Sequence, residues 1–233
     1  MSLRVMPEER IRDITRAAVL VFRRMGFQQA QMGEIAREAG VANGTLYNYF
    51  ESKSHLFLYV MENGVPEEGP PMPSPEASSA HSEEDLLRML KRELQEKGRL
   101  KCVDRFLKKR GRDIDIVAEI SEIFREWWEL MESNSIQIGL LEKSSIEFPQ
   151  LKKVYDKYGR RYILEQLEKY LRARVKAGMI RKIHSIPGVA RAMMEALGWF
   201  AWIQGEDDIT PFCPKAEILP DLVGIFAHGL IAS

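Results

Sequence analysis

Cysteine is scarce in this chain: Cys102 and Cys213 are the only two among 233 residues, and they stand far apart. A disulfide framework needs an even set at short spacings, and a zinc site needs Cys/His pairs a few residues apart. The four histidines, His55, His81, His184 and His228, form no i,i+4 pair and neighbour no acidic ligand cluster. No metal is expected, and a reducing cytoplasm fits the cysteine usage. Long apolar runs are missing too. Nothing approaches the roughly 18–20 residues needed to span a bilayer, and no basic-then-apolar leader opens the chain. Net charge is zero, with 34 basic and 34 acidic residues, so bulk electrostatics announce no polyanionic partner. Alternating strand patterns, nucleophile–base constellations, paired carboxylates and glycine-rich cofactor loops are all absent. An enzyme is therefore not expected, and neither is a cofactor.

What remains is helix, and the expected fold class is all-α. Ile11, Ile14, Ala18, Val21/Phe22 and Met25 recur at helical spacing over 8–25, with Pro7 at the start and Gly26 at the end. A second helix over 32–39 carries Ile35, Ala36 and Ala39 and stops at Gly40. A short third helix follows Val41, and a fourth runs from an N-cap at Ser52 to Asn63-Gly64. Residues 65–82 hold five of the eleven prolines and no Lys or Arg, the composition of an extended linker. The expected division is thus 1–64, linker 65–82, and 83–233.

Beyond residue 83 the helical stripes continue: Leu86, Leu87, Leu90 and Leu94; Ile116, Ile120, Ile123, Phe124, Trp127 and Met131; Ile163/Leu164, Leu167, Tyr170/Leu171 and Val175. Two final helices, 189–203 and 216–232, are apolar almost all round, so each must be covered on more than one side. A two-fold partner copy is the simplest cover, and Met194, Leu197, Ala201, Leu222 and Phe226 are the expected interface. The basic run "LKKRGR" (107–112) is read as a solvated loop, and "SIPG" (185–188) as a turn before a helix.

The third helix is unusual for what it does not bury. In "GVANGTLYNYF" (40–50), Leu46 and Phe50 lie four apart and anchor the helix, while Gly44, Thr45, Tyr47 and Asn48 project elsewhere. Helix, Ala-Gly-Val turn and short helix form a helix-turn-helix layout. Asn and Thr can hydrogen-bond base edges, and hydroxyls and backbone N–H groups reach phosphates. Over 8–62 the chain resembles the DNA-binding domain of the TetR family of bacterial transcriptional regulators. The resemblance is carried by "AAVLVFRRMGF" (17–27), "EIAREAGV" (34–41), "GTLYNYF" (44–50) and the "SK..LF" pattern (52–57).

The resemblance implies a DNA-binding set of Asn43, Gly44, Thr45, Tyr47, Asn48, Tyr49 and Lys53. Lys53 would take a phosphate. Tyr49 also suits packing, and Gly44 suits close approach of a neighbouring helix. Gln31 and Met32 replace the hydroxyl that usually caps the second helix, and Ala42-Asn43 is an atypical start to the third. Asn43 is either the N-cap of that helix or a base contact. The resemblance further implies a dimeric repressor of a palindromic operator, with half-sites ~34–36 Å apart. A small apolar or aromatic effector would release it. Trp127, Trp128, Met131, Phe148, Tyr155, Tyr158, Tyr162 and Met193 offer surface for such a molecule, or plain core packing. A helical small-molecule carrier or interaction protein is the alternative reading.

Overall fold

The computed structural model describes residues 7–65, 71–73, 82–109, 114–203 and 212–231. Among them the only extended pairing is an isolated bridge between Ile180 and Ile231, so the all-α expectation holds. The helices are α1 (Pro7–Gln29), α2 (Met32–Glu38), α3 (Asn43–Tyr49), α4 (Lys53–Asn63), α5 (Glu83–Lys97) and α6 (Lys101–Phe106). They continue as α7 (Ile116–Ser133), α8 (Ser135–Ser145), α9 (Pro149–Tyr155), α10 (Arg161–Lys176), α11 (Ile186–Gly198) and α12 (Lys215–Leu230). Two π-helical turns, Asp156–Arg160 and Trp199–Ile203, follow α9 and α11. No helix among the described residues is long and apolar enough to cross a membrane.

The chain forms two compact units. The first comprises Met1–Lys97 and Ile136–Gly159, the second Gly98–Ser135 and Arg160–Ser233. These units are drawn differently from the division read at 65–82, most of which lies outside the described residues. The stripe of α5 buries Leu86 and Leu90 in the same core as α1–α4, and Leu140, Leu141, Phe148 and Leu151 join it from far downstream.

In the first unit, α1 breaks at Gly26, where φ is +78° and a left-handed turn suits only glycine. That turn leaves the Phe27 N–H without a helical acceptor, and the Ser144 hydroxyl oxygen accepts it at 3.1 Å. Phe22 and Phe27 meet Phe57 edge-on with centroids 5.1 Å apart, and Phe148 stacks on Phe27 at 5.8 Å. Such pairs add about 0.5–1.5 kcal/mol each beyond burial, so α1, α4 and the α8–α9 turn are held as one body. The expected cap of α4 is present: the Ser52 hydroxyl accepts the His55 N–H at 3.0 Å. His55 itself is buried against Phe50, and its Nδ1 accepts from the Glu51 N–H, a structural histidine as expected.

The second unit packs α6, α7, α10, α11 and α12 around Phe106, Ile120, Ile123, Phe124, Trp128, Tyr170, Leu171 and Met193. A buried ion pair crosses it. Arg174 donates to both carboxylate oxygens of Glu119, at 2.8 and 2.9 Å, and to the Phe106 carbonyl at 2.7 Å. Gln166 pairs both backbone groups of Leu100, so the start of α6 is fixed to α10.

The expected interface residues Met194, Leu197 and Leu222 are at most 5% exposed within this core. Their burial is met inside the subunit, which corrects the sequence reading for those three. Ala201 and Phe226 are half-buried. The apolar side chains that these last elements leave outside are Ile203, Phe212 and Ile225, at 39%, 67% and 67% exposure.

Candidate nucleic-acid interface

Helix α3 is seven residues long, and its only buried member is Leu46; Phe50, its C-cap, is fully buried just beyond. These two pin it to α4, where Phe50 packs edge-on against Tyr59 with centroids 5.2 Å apart. The Gly40–Ala42 turn sets its direction. Gly40 takes φ +65°, and the Val41 N–H reaches back to the Ala36 carbonyl at 2.9 Å. Asn43, Gly44, Tyr47 and Asn48 are consequently exposed, while Thr45 and Tyr49 are half-buried. Tyr49 packs partly against the first core, so part of its side chain is committed to packing.

The start of α3 excludes the N-cap role for Asn43. Ala42 is the N-cap, with extended φ and ψ and no side-chain cap, so Asn43 is the first helical residue and its amide is not spent on the backbone. At the corresponding place in α2 the missing hydroxyl is partly replaced, because the Glu34 carboxylate accepts the Gln31 N–H at 3.2 Å. Gly44 is the most informative residue of the surface. A Cβ added there would meet nothing within 4 Å, and its φ is not left-handed. Neither internal packing nor backbone conformation requires a glycine at 44.

Lys53 is placed differently from its expected role. Its ammonium donates to the carbonyls of Gln28 and Ala30, both at 3.0 Å, and lies 4.7 Å from the Phe27 ring centroid. Burial pushes its pKa down, with Glu83 acting in the opposite direction. Lys53 therefore closes the carbonyl end of α1, and only one of its three N–H groups is left for a phosphate. Sequence alone carried no sign of this, because those acceptors are backbone atoms 23 and 25 residues away.

Residues 14–60 match the model of the bacterial regulatory proteins, tetR family. Over these residues the chain is similar to the DNA-binding domain of the TetR family. Among curated relatives, an uncharacterized HTH-type transcriptional regulator of Bacillus subtilis, YfiR, is 35% identical over 60 residues, 26% of this chain and 29% of that protein. The fatty acid metabolism regulator protein of the same organism is 44% identical over 46 residues, 20% of this chain and 24% of that protein. The matches thus span less than a third of either relative. Solved structures extend the likeness of fold to the whole chain. A ketosteroid transcriptional regulator of Mycobacterium tuberculosis superposes with a TM-score of 0.58 at 15% identity, covering 100% of both chains. A TetR family transcriptional regulator of Thermus thermophilus gives 0.56 at 16% identity, covering 93% of this chain and 97% of that one.

The eight residues expected to face an effector come from both units. Phe148 and Tyr155 belong to the first core, whereas Trp127, Trp128 and Met193 belong to the second, with Met131 packed on it. Tyr158 sits between the ammonium groups of Lys91 and Lys157, each about 5 Å from its ring centroid, and these depress its pKa. Tyr162 is half-buried. The sequence grouped these residues by type; their helices divide them between units. Within the second core the indole N–H groups of Trp127 and Trp128 and the Tyr170 hydroxyl have no hydrogen-bond partner among the described residues. Burial raises the Cys102 thiol's pKa, which makes it inert, and no cluster of metal-ligating side chains occurs among the described residues.

Proposed function

We infer that this protein is a DNA-binding transcriptional regulator that reads its site with α3. The observation that carries the reading is the surface of that helix. Asn43, Gly44, Tyr47 and Asn48 face outward, and a glycine that nothing in the fold calls for lies among them. A helix fixed by two apolar residues, with amides and hydroxyls turned to solvent, matches the chemistry of a major groove. Thr45, Tyr49 and the remaining Lys53 N–H would add phosphate contacts.

The regulator acts as a homodimer on a palindromic operator. Support comes from Ile225 on α12 and Phe212 just before it, exposed apolar residues that suit a second copy related by a two-fold axis. Residues 83–233 are the effector-binding and dimerisation part and 1–64 the DNA-reading part, joined through 65–82. Trp127, Trp128, Met131 and Met193 offer flat and adaptable apolar surface, and two unpaired indole donors lie among them. Binding there releases the operator by favouring a separation of the two α3 helices that DNA does not match.

Selection from a random duplex pool by the purified protein tests the DNA reading. The expected result is enrichment of one inverted repeat, with an affinity that falls steeply as salt rises. Absence of any enriched sequence at low salt, from protein whose folding is verified by circular dichroism, refutes it.

A further inference from the structure

The start of α3 and the first turn of α2 meet at one point. Gly33 is the second residue of α2, and a Cβ built on it would lie 3.8 Å from Oδ1 and 3.9 Å from Nδ2 of Asn43. A side chain at 33 would therefore stand against the carboxamide of Asn43, and glycine leaves that side open. Among the described residues that carboxamide makes no hydrogen bond, and the side chain is exposed. As the first residue of the helix it is also free of capping duty, since Ala42 is the N-cap. An exposed asparagine ordinarily samples several rotamers, and locking one costs conformational entropy. The space beside Gly33 keeps open the rotamers that a larger side chain at 33 would shut out.

We propose that Gly33 is a positioning residue for Asn43, and that the pair sets base preference at one position of each half-site. This rests on the DNA-reading role of α3. An asparagine carboxamide offers both donor and acceptor groups, which match N7 and the 6-amino group of adenine, so adenine is the base it selects. Glycine at 33 acts by leaving room. A methyl group fits, because 3.8 Å is ordinary contact; any branch beyond the β-carbon competes with the carboxamide for the same space.

The test is selection from a random duplex pool with the full-length chain, comparing wild type, Gly33→Ala, Gly33→Leu, Asn43→Ala and the Gly33→Leu/Asn43→Ala double variant. Thermal melting confirms that each is folded. Wild type and Gly33→Ala are expected to share a preference for adenine at one symmetry-related pair of positions. Asn43→Ala loses that preference by about tenfold, the size of a good bidentate contact. Gly33→Leu loses it to a similar extent at the same position, and the double variant loses no more than either single. A Gly33→Leu variant that keeps the adenine preference, or losses that add in the double variant, overturns the proposal while leaving the DNA-reading function intact. Failure of wild type to enrich any sequence overturns the functional reading and this proposal with it.

Discussion

The glycine at 44 separates a residue kept for the fold from one kept for a partner, and Gly44→Ala puts the two in opposition. Glycine inside a helix costs about 0.5–1 kcal/mol relative to alanine, because the unfolded chain loses more freedom on folding. Alanine is compatible with the backbone at 44, where φ is not left-handed, and its methyl group would enter open space with no neighbour within 4 Å. The variant should therefore be more stable than wild type by up to about 1 kcal/mol, at most a few degrees in melting temperature for a chain of this size. DNA binding should move the other way. A methyl group on the outward surface of α3 holds the backbone away from the duplex, and losing one hydrogen bond to a charged phosphate costs about 1.5–3 kcal/mol. That corresponds to roughly 10–100-fold weaker binding.

The assay pairs urea denaturation with fluorescence anisotropy on the selected duplex at fixed salt. Stability up and affinity down is the expected signature. Unchanged affinity would show that nothing approaches Gly44 closely and would remove the strongest support for α3 as the reading helix. Lower stability would show instead that the glycine serves the fold.

Other substitutions probe the parts that hold this surface in place. Lys53→Ala removes both hydrogen bonds to the end of α1 and should cost about 1.5–3 kcal/mol of stability in urea titration. A fall of about 1 in the salt slope of DNA binding with stability unchanged would instead place the ammonium on a phosphate. Arg174→Met leaves the buried Glu119 carboxylate unpaired and should destabilise by about 3–5 kcal/mol, whereas Glu119→Leu/Arg174→Met should recover most of that. A double variant as unstable as the single would contradict the desolvation argument. Tyr59 donates to the Pro71 carbonyl at 2.7 Å, and burial pushes its pKa up to about 12. The raised pKa means stability that is present below the unfolded value near 10 and lost as pH rises through about 12. Alkaline denaturation between those limits should accordingly be shallower in Tyr59→Phe, and an unchanged pH profile would exclude Tyr59 as its source.

Helix α3 was legible in sequence because its signal is local. Leu46 and Phe50 at a four-residue spacing, glycines at 40 and 44, and the Ser52 cap lie within thirteen residues, where periodicity and turn chemistry operate. Helices α6 and α9 were not legible because six and seven residues are too few to show a stripe, and α8 because its burial does not follow hydrophobicity. In α8 the buried residues include Gln137, Ser144 and Ser145 beside Leu140 and Leu141, so no clean apolar stripe marks it. One of its polar residues is buried because it serves backbone elsewhere: Ser144 accepts from the Phe27 N–H 117 residues away. The final helices misled in the opposite way. Their all-round apolarity suggested a partner on both sides, but Met194, Leu197 and Leu222 are taken up by the subunit's own core.

Lys53 joins the two halves of that lesson. By type and place it reads as a phosphate ligand, and by geometry it is the C-terminal clamp of α1. The two roles are compatible only if the ammonium keeps its proton, since both carbonyls and phosphate oxygens are acceptors. Burial works against that proton and Glu83 works for it. An acidic residue near the reading head would usually be counted as repelling DNA. Here Glu83 favours the charged form of the clamp that ties the start of α4 to the end of α1. Under the proposed DNA-reading role, Glu83 would combine a long-range repulsion that salt screens with a short-range contribution to the clamp that salt screens much less.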